Sequence, residues 1–550
     1  MTTANHAIGL NGRLAARWAR RAVDRLRKER GEIDELNVFP VPDGDTGTNM
    51  YHTLRSAYLA VEELTGPVTL PQVVAALAAG AGRGARGNSG LILAVALQGV
   101  ADALHQVTVA TPDAMAAALE LASARAREAV ARPVDGTMLT VLDAMATEAR
   151  EKAESGADLI DLISAVRLRS REALRETTGQ LPVLREAEVV DAGSTGIVEL
   201  FDLLYATVTG RTPQDSMLTE VARAPKVLHE ATAEELEIVA ILARTPDRDL
   251  AEALDRLGGT SIVINGPKVH VHVVDETTAT KVLDHLGDYG IARLDMEDLR
   301  LHEEEGETRL IALVQGTGLL MHCALNGATA ITPAALGGSA SAPAAVRKGA
   351  EAKGEDIATI VEELIAGEDR TVIVVPSSTS ALRALSGLRG RQIVRSRNVA
   401  TLLSALAVYD PFAPAGEILA DMTEAAAGTR VGTIVSAEQL ALNPPTGALP
   451  IIEEGASAED ALAGPGTQFY RIYIDGKAKT QSTELTTLVE KLADRLLGAG
   501  GELLTVVHGP GCAPEVLRHL RTWITKSHSQ VRFQDIDARD PGTLLIMGVE

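Results

Sequence analysis

Between Gly9 and Gly210 the apolar residues recur at helical spacing in one segment after another, and β-branched runs are almost absent. Leu14, Trp18, Val23 and Leu26 mark the first pattern, with arginines filling the rest of the arc. An apolar residue every three or four positions turns one stripe toward a core. The pattern returns at 50–64, 70–80, 89–106, 112–130, 139–153, 157–176 and 196–208. Roughly eight helices with no sheet to cover them predict an all-α domain over residues 1–210, an eight-helix barrel or bundle.

Past a proline- and charge-containing linker at about 210–233 the texture changes. The runs LEIVAILA (236–243), TSIVINGPKVHVHVVD (260–275) and RLIALV (309–314) read as strands, and TATKVLDHLGDYG (278–290) as a helix between two of them. Farther on, TVIVVP (371–376), QIVRS (392–396), ELLTVVHG (502–509) and TLLIMGVE (543–550) alternate with helical runs at 377–387, 400–407 and 483–498. A chain of 550 residues exceeds one compact core. It is therefore read as multidomain: the helical domain, a small α/β middle domain over 225–307 and a C-terminal α/β domain over 308–550, with a surface loop at 452–466.

A formal net charge of -22 argues against non-specific binding to nucleic acid, which needs a basic excess. Two cysteines, Cys323 and Cys512, build neither a disulfide framework nor a zinc finger of cysteines. Arginines interrupt every apolar run near the N-terminus, and no stretch reaches the roughly 18 apolar residues of a membrane span. The expected location is the cytoplasm.

The segment NVFPVPDGDTGTNM (37–50) stands apart. Pro40 and Pro42 fix φ and Gly44 and Gly47 permit sharp turns, so it reads as a stiff loop, with Thr46, Thr48 or Asn49 capping a helix that starts near Met50. Asp43 and Asp45 flank a glycine and can converge on one point, a hard-oxygen pair suited to Mg²⁺ on substrate phosphates. An acidic turn with helix capping is the plainer reading of the pair alone. GRGARGNSGLI (82–92) satisfies G-x-G-x-x-G, but it follows a helical run and not a strand, which excludes a dinucleotide fold. What remains is a glycine-rich loop entering a helix, with Asn88, Ser89 and Gly90 where a phosphate would dock. VDGTMLT (134–140) and VVDAGSTGI (189–197) are two more small-residue turns that open helices. Four such turns on one helical domain imply a nucleotide site at the mouth of a helical barrel.

Taken in order, LNVFPVPDGDTGTNM, ARGNSG, DGTMLTVLDA and LPVLREAEVVDAGSTGIVEL resemble the nucleotide-binding, DhaL-type domain of the dihydroxyacetone kinase family. The whole chain resembles the large subunit of bacterial fatty acid kinases. That resemblance implies an eight-helix barrel binding ATP through Mg²⁺ at Asp43 and Asp45. Asn37 stands where related glycerone kinases have a third aspartate. Thr46, Gly47, Thr48, Asn49, Asn88, Ser89 and Gly90 would serve the phosphates, and Thr137, Met138, Asp191, Gly193 and Ser194 would close the pocket. It further implies a homodimer, and a separate fatty-acid-binding partner protein that presents the acceptor carboxylate. The C-terminal half resembles the DegV-like fold of that partner, and docking it is the implied role.

In KVHVHVVD (268–275) His270 and His272 are two apart, so on a strand they share a face and could start a zinc site. Two histidines on a solvent-facing strand are the plainer reading. The resemblance implies a metal here, with Glu237 standing where the family carries a cysteine. His508 and Cys512 in HGPGC read as a strand followed by a turn, and His322 and Cys323 as strand neighbours facing opposite ways. Three functions compete: a fatty acid kinase subunit making acyl phosphates, a glycerone-type kinase for a small hydroxy compound, and a non-catalytic nucleotide-binding scaffold.

Overall fold

Asn11 starts the first long helix by accepting the Leu14 amide on its side chain at 3.1 Å. The computed structural model describes residues 9–211, 236–299, 308–332, 370–385, 392–442, 469–474 and 476–550, with a few single positions between them. The expected loop at 452–466 and most of the linker at 210–233 lie outside the described residues. The chain divides into two units: Met1–Val239 with Pro246–Ala279 and Leu299–His302, and Ala240–Thr245 with Thr280–Asp298 and Glu303–Glu550.

In the first unit the short strand β1 (Leu10–Asn11) pairs with β2 (Val109–Ala110). The helices are α1 (Gly12–Asp34), α2 (Thr46–Glu62), α3 (Leu70–Gly84), α4 (Gly87–Leu104), α5 (Pro112–Ala129), α6 (Met138–Glu154), α7 (Leu159–Gln180), α8 (Pro182–Ala187) and α9 (Ala192–Thr209). Each of α1 to α7 packs on the next, α7 on α9, and α9 back on α1, so the long helices close into a ring with short α8 as an addition. Along α1 the buried face is Ala15, Ala19, Ala22, Leu26 and Ile33, the stripe the spacing predicts. The seams that α9 makes are charged as well as apolar. Asp202 is buried against Arg167 at 2.8 Å and against Arg171, while Arg25 bridges Glu29 at 2.7 Å and buried Glu199 at 3.9 Å.

Two expectations are corrected here. Helix α2 begins at Thr46, four residues before Met50, with Asp45 as N-cap. Gly47 belongs to its first turn because a Cβ there would stand 2.4 Å from the Arg30 carbonyl, so only glycine lets α2 lie this close on α1. Helix α4 is long and apolar enough to cross a membrane by length and composition, contrary to the expectation that no segment is. It is 61% buried inside the protein, between α3 and α5, as a core helix.

Beyond the ring, this unit holds the Leu236–Val239 portion of β3 (Leu236–Leu242), then α10 (Leu250–Arg256), β4 (Thr260–Asn265) and β5 (Lys268–Val273). The strand order is β3-β5-β4. β4 and β5 form an antiparallel hairpin turning at Gly266, whose φ of +56° suits glycine. Ala131 donates to the Ile262 carbonyl at 3.1 Å, tying the hairpin to the end of α5.

The second unit is α/β. After α11 (Glu276–Gly287) come β6 (Ile291–Asp298), β7 (Thr308–Leu313), α12 (Thr317–Leu325), β8 (Ala328–Ile331), β9 (Thr371–Pro376), α13 (Thr379–Ala384) and β10 (Gln392–Ile393). Their order is β10-β9-β7-β8-β6, parallel except for β6 against β8. β7 and β9 are buried along almost their whole length, as strands covered on both faces must be. The remainder is α14 (Val399–Ala407), α15 (Ala415–Gly428), β11 (Arg430–Ser436), α16 (Ala437–Leu442), β12 (Tyr470–Ile474), β13 (Lys477–Ser482), α17 (Leu485–Leu497), β14 (Leu503–His508), α18 (Pro514–Ser527), β15 (Arg532–Asp537) and β16 (Leu545–Val549). These strands form a sheet of order β13-β12-β11-β16-β14-β15. His322 and Cys323 lie on helix α12, not on a strand; nine residues as uniformly apolar as TGLLMHCAL carry no periodicity to separate the two.

Candidate functional site

The acidic turn is held from both sides. Gly44 sits at φ +70°, which an L side chain rarely adopts, and puts Asp43 and Asp45 on either side of a tight bend. The Asn37 amide donates to Asp43, and the Asn49 amide donates to Asp45 at 2.6 Å. Asp43 and Asp45 also share a hydrogen bond, and burial pushes the Asp45 carboxyl above its ordinary range. Two carboxyl groups that hold a proton between them are a pair a divalent cation can bridge by displacing it. The Oδ1 atoms of Asn37 and Asn88 are buried without a hydrogen-bond partner. All of these donors are hard oxygens, so the set fits Mg²⁺.

Sequence reasoning missed Asp34. At the end of α1 it accepts the Thr48 amide at 3.0 Å, the Thr48 hydroxyl at 2.7 Å and the Gly47 amide. Burial raises its carboxyl to about 6, with the charge of Asp45 adding to the effect and the hydrogen bonds opposing it. The first-turn donors of Gly47 and Thr48 therefore serve Asp34. Nothing near Asp34 in sequence signals a partner 14 residues away.

The glycine-rich stretch is not one loop. Gly82 and Gly84 end α3, the chain breaks direction at Ala85 and Arg86, and Gly87 begins α4. Gly87 has φ +54°, and a Cβ there would stand 2.2 Å from Asn49 Nδ2; at Gly90 it would stand 2.3 Å from Thr53 Oγ1. These glycines let α4 approach α2. No side chain caps the N-terminus of α4, so its first amides are left for another acceptor.

A cavity with about 280 Å³ of empty space is lined by Asn37, Asp43, Asp45, Thr46, Asn49, Gly87, Asn88, Ser89, Glu237 and His272, with Pro40 and Val41. That is near the lower limit for a small-molecule site, a size for phosphates and ions. The other candidates gather elsewhere. Asp191 caps α9 through Ser194, whose amide and hydroxyl both donate to it at 2.7 Å, and it accepts the Met138 amide at the start of α6. Gly193 faces Met138, and the Thr137 hydroxyl donates to the Val134 carbonyl at 2.8 Å. Asp191 is buried, its carboxyl raised by that burial. Thr137, Met138, Asp191, Gly193 and Ser194 thus form a joint between two helix starts and are not in the cavity lining.

Glu237, His270 and His272 offer ligand atoms that all lie within 4.8 Å of one another. His270 Nδ1 is 3.4 Å and His272 Nε2 3.9 Å from Glu237 Oε1. Both histidines are buried, which excludes a solvent-facing pair. Neither ring nitrogen of His270 makes a hydrogen bond, and burial, reinforced by His272 and Lys268, holds its pKa well below the usual histidine range. Two imidazoles and a carboxylate, one imidazole neutral and unsatisfied, fit a zinc-type ion with room for a further ligand. Lys268, on the same face of β5, donates from its ammonium to the Ala85 carbonyl. The alternation K-V-H-V-H carried that signal. His508 lies 4.0 Å from Asp537, and burial raises the Cys512 thiol to about 11, which leaves little thiolate for nucleophilic work.

Residues 40–206 match the DAK2 domain, and residues 343–550 match the C-terminal domain of FakA-like fatty acid kinase proteins. An uncharacterized protein of Staphylococcus aureus (strain USA300) is 25% identical over 97% of this chain and 98% of its own length. Protein YloV of Bacillus subtilis (strain 168) is 24% identical over 98% and 99%. Among solved structures, a DegV family protein from Corynebacterium glutamicum aligns with 44% of this chain and 96% of its own at 13% identity and a TM-score of 0.28. A DegV family protein from Ruminococcus gnavus, described with vaccenic acid, aligns with 44% and 99% at 14% identity and a TM-score of 0.29. The two domain matches imply a kinase-related function and the use of a nucleotide. With a DAK2 domain followed by a FakA-like C-terminal domain, the chain belongs with the FakA-like fatty acid kinase proteins.

Proposed function

We propose that the chain is a cytoplasmic, ATP-dependent kinase subunit that transfers the γ-phosphoryl group to the carboxylate of a fatty acid, presented by a separate lipid-binding protein, giving an acyl phosphate. The observation that carries this reading is the cavity shared by Asp43, Asp45, Asn88 and Ser89, with two carboxyl groups held in place by Asn37 and Asn49. The C-terminal domain match supports a fatty acid as the acceptor. A carboxylate is already ionised at neutral pH, so no general base is needed and catalysis reduces to positioning and charge neutralisation. Asp43 and Asp45 would hold Mg²⁺, which when bound supplies positive charge to the phosphate oxygens. The uncapped first turn of α4 and the Asn88 and Ser89 side chains donate to those oxygens, since the α2 amides of Gly47 and Thr48 are engaged by Asp34. Glu237, His270 and His272 would hold a zinc-type ion.

The test is acyl phosphate formation, trapped as the hydroxamate, from the purified chain with Mg²⁺, ATP, oleate and a candidate lipid-binding partner. Product that requires both the partner and Asp43, and disappears in Asp43→Ala, is the expected outcome. Phosphorylation of a triose without any partner would replace this reading with the small-hydroxy-compound kinase. Nucleotide binding with no product from any acceptor would leave a scaffold.

A further inference from the structure

One face of β5 presents Lys268, His270 and His272 to the interior, exposed only to 7%, 0% and 2%. Through this face the hairpin becomes a wall of the nucleotide cavity. Lys268 grips the Ala85 carbonyl at the break before α4, and His272 and Glu237 line the same cavity as Asp43, Asp45, Asn88 and Ser89. His272 is close enough to act electrostatically on Asp45.

The described cavity lining contains three carboxylates, Asp43, Asp45 and Glu237, and neither lysine nor arginine. A nucleotide brings further negative charge to a site that already carries an excess of it. One magnesium ion at Asp43 and Asp45 offsets part of that excess. The imidazoles and Glu237 form a second, separate donor set a short step along the same wall, and an ion there adds two positive charges to the cavity without occupying the magnesium position.

Resting on the kinase reading above, we propose that a zinc-type ion at Glu237, His270 and His272 and the magnesium nucleotide at Asp43 and Asp45 bind cooperatively, each tightening the other. The coupling is electrostatic and acts through the shared cavity, where charges of opposite sign are only partly screened by water. Linkage requires it to be reciprocal: the factor by which the ion tightens nucleotide is the factor by which nucleotide tightens the ion.

The experiment is isothermal titration of the full chain, stripped with a chelator and then used either zinc-free or with one equivalent of zinc, with a non-hydrolysable ATP analogue and Mg²⁺. Zinc loading is expected to lower the Kd for the analogue about tenfold, within the usual range of such couplings. Zinc titrated into the stripped protein should bind tighter by the same factor when the analogue is present. His270→Ala and, as a second variant, Glu237→Gln should hold the zinc-free analogue affinity whether or not zinc is added. The comparison of zinc-free with zinc-loaded native chain stands even where a variant fails to fold. An analogue Kd that is the same with and without zinc, or zinc that does not bind the stripped chain, overturns the coupling and leaves the kinase reading intact. An analogue that binds in neither state overturns both.

Discussion

Replacing Asp34 with asparagine should make the helical unit more stable at neutral pH and remove part of its pH dependence. Burial raises the Asp34 carboxyl from an ordinary 3.8 to about 6. The folded state therefore holds a proton that the unfolded state has already lost across that window. Stability from this group is fully present below about pH 4 and falls as pH rises through about 6. At about 1.4 kcal/mol for each tenfold change in proton affinity, ionised Asp34 costs the fold about 3 kcal/mol at neutral pH. Asparagine keeps an oxygen for the Thr48 amide, and the Thr48 hydroxyl, which now donates at 2.7 Å, can rotate to accept from the new amide group. The readout is urea unfolding in a Trp523→Phe background. Trp18, whose indole donates to the Leu200 carbonyl at 2.9 Å across the α1–α9 seam, then reports the helical unit alone. The stability of Asp34→Asn relative to its parent should rise by up to about 3 kcal/mol between about pH 4 and pH 7. A difference that is flat with pH, or a variant less stable than its parent at pH 7, refutes the assignment of Asp34 as a strained buried carboxylate.

Two further outcomes follow from particular contacts. Gly87→Ala introduces a Cβ 2.2 Å from the Asn49 amide at a positive φ, so it should cost about 1–3 kcal/mol and weaken magnesium-nucleotide binding at least about tenfold by disturbing Asp45; Gly82→Ala, with open space around it in α3, should add about 0.5–1 kcal/mol of stability and leave binding unchanged. Equal effects from both glycines, in unfolding and titration, would show that position does not matter. Asp202→Asn leaves Arg167 and Arg171 buried without their shared carboxylate and should destabilise the helical unit by about 3 kcal/mol or more, measured by the same Trp18 unfolding; a loss under about 0.5 kcal/mol would mean the pair contributes nothing net.

The helices were legible because their signal is local: Ala15, Ala19, Ala22 and Leu26 announce the buried face of α1 within a dozen residues. The acidic turn was legible because proline and glycine punctuate it. What the sequence could not disclose was pairing at a distance. Asp34 reads as one more acid at the end of a charged helix until Thr48 is seen beside it. Lys268 reads as a strand lysine until Ala85 appears at its ammonium. The glycines from Gly82 to Gly90 carry a phosphate-loop composition, but at Gly87 and Gly90 that composition answers a packing demand from Asn49 and Thr53. The same character string serves both purposes, and only the neighbours distinguish them.

The clasp between Lys268 and Ala85 joins residues 183 positions apart. During synthesis at about 5–20 residues per second, the helical ring can begin to close roughly 10–40 s before that lysine leaves the ribosome. Over that interval the acidic turn and the start of α4 face water with one wall missing. The DAK2 match ends at residue 206, short of β5, so an excised ring would remain permanently in the condition that the nascent chain passes through. The order of translation thus delays a finished binding site until the hairpin behind it has been made.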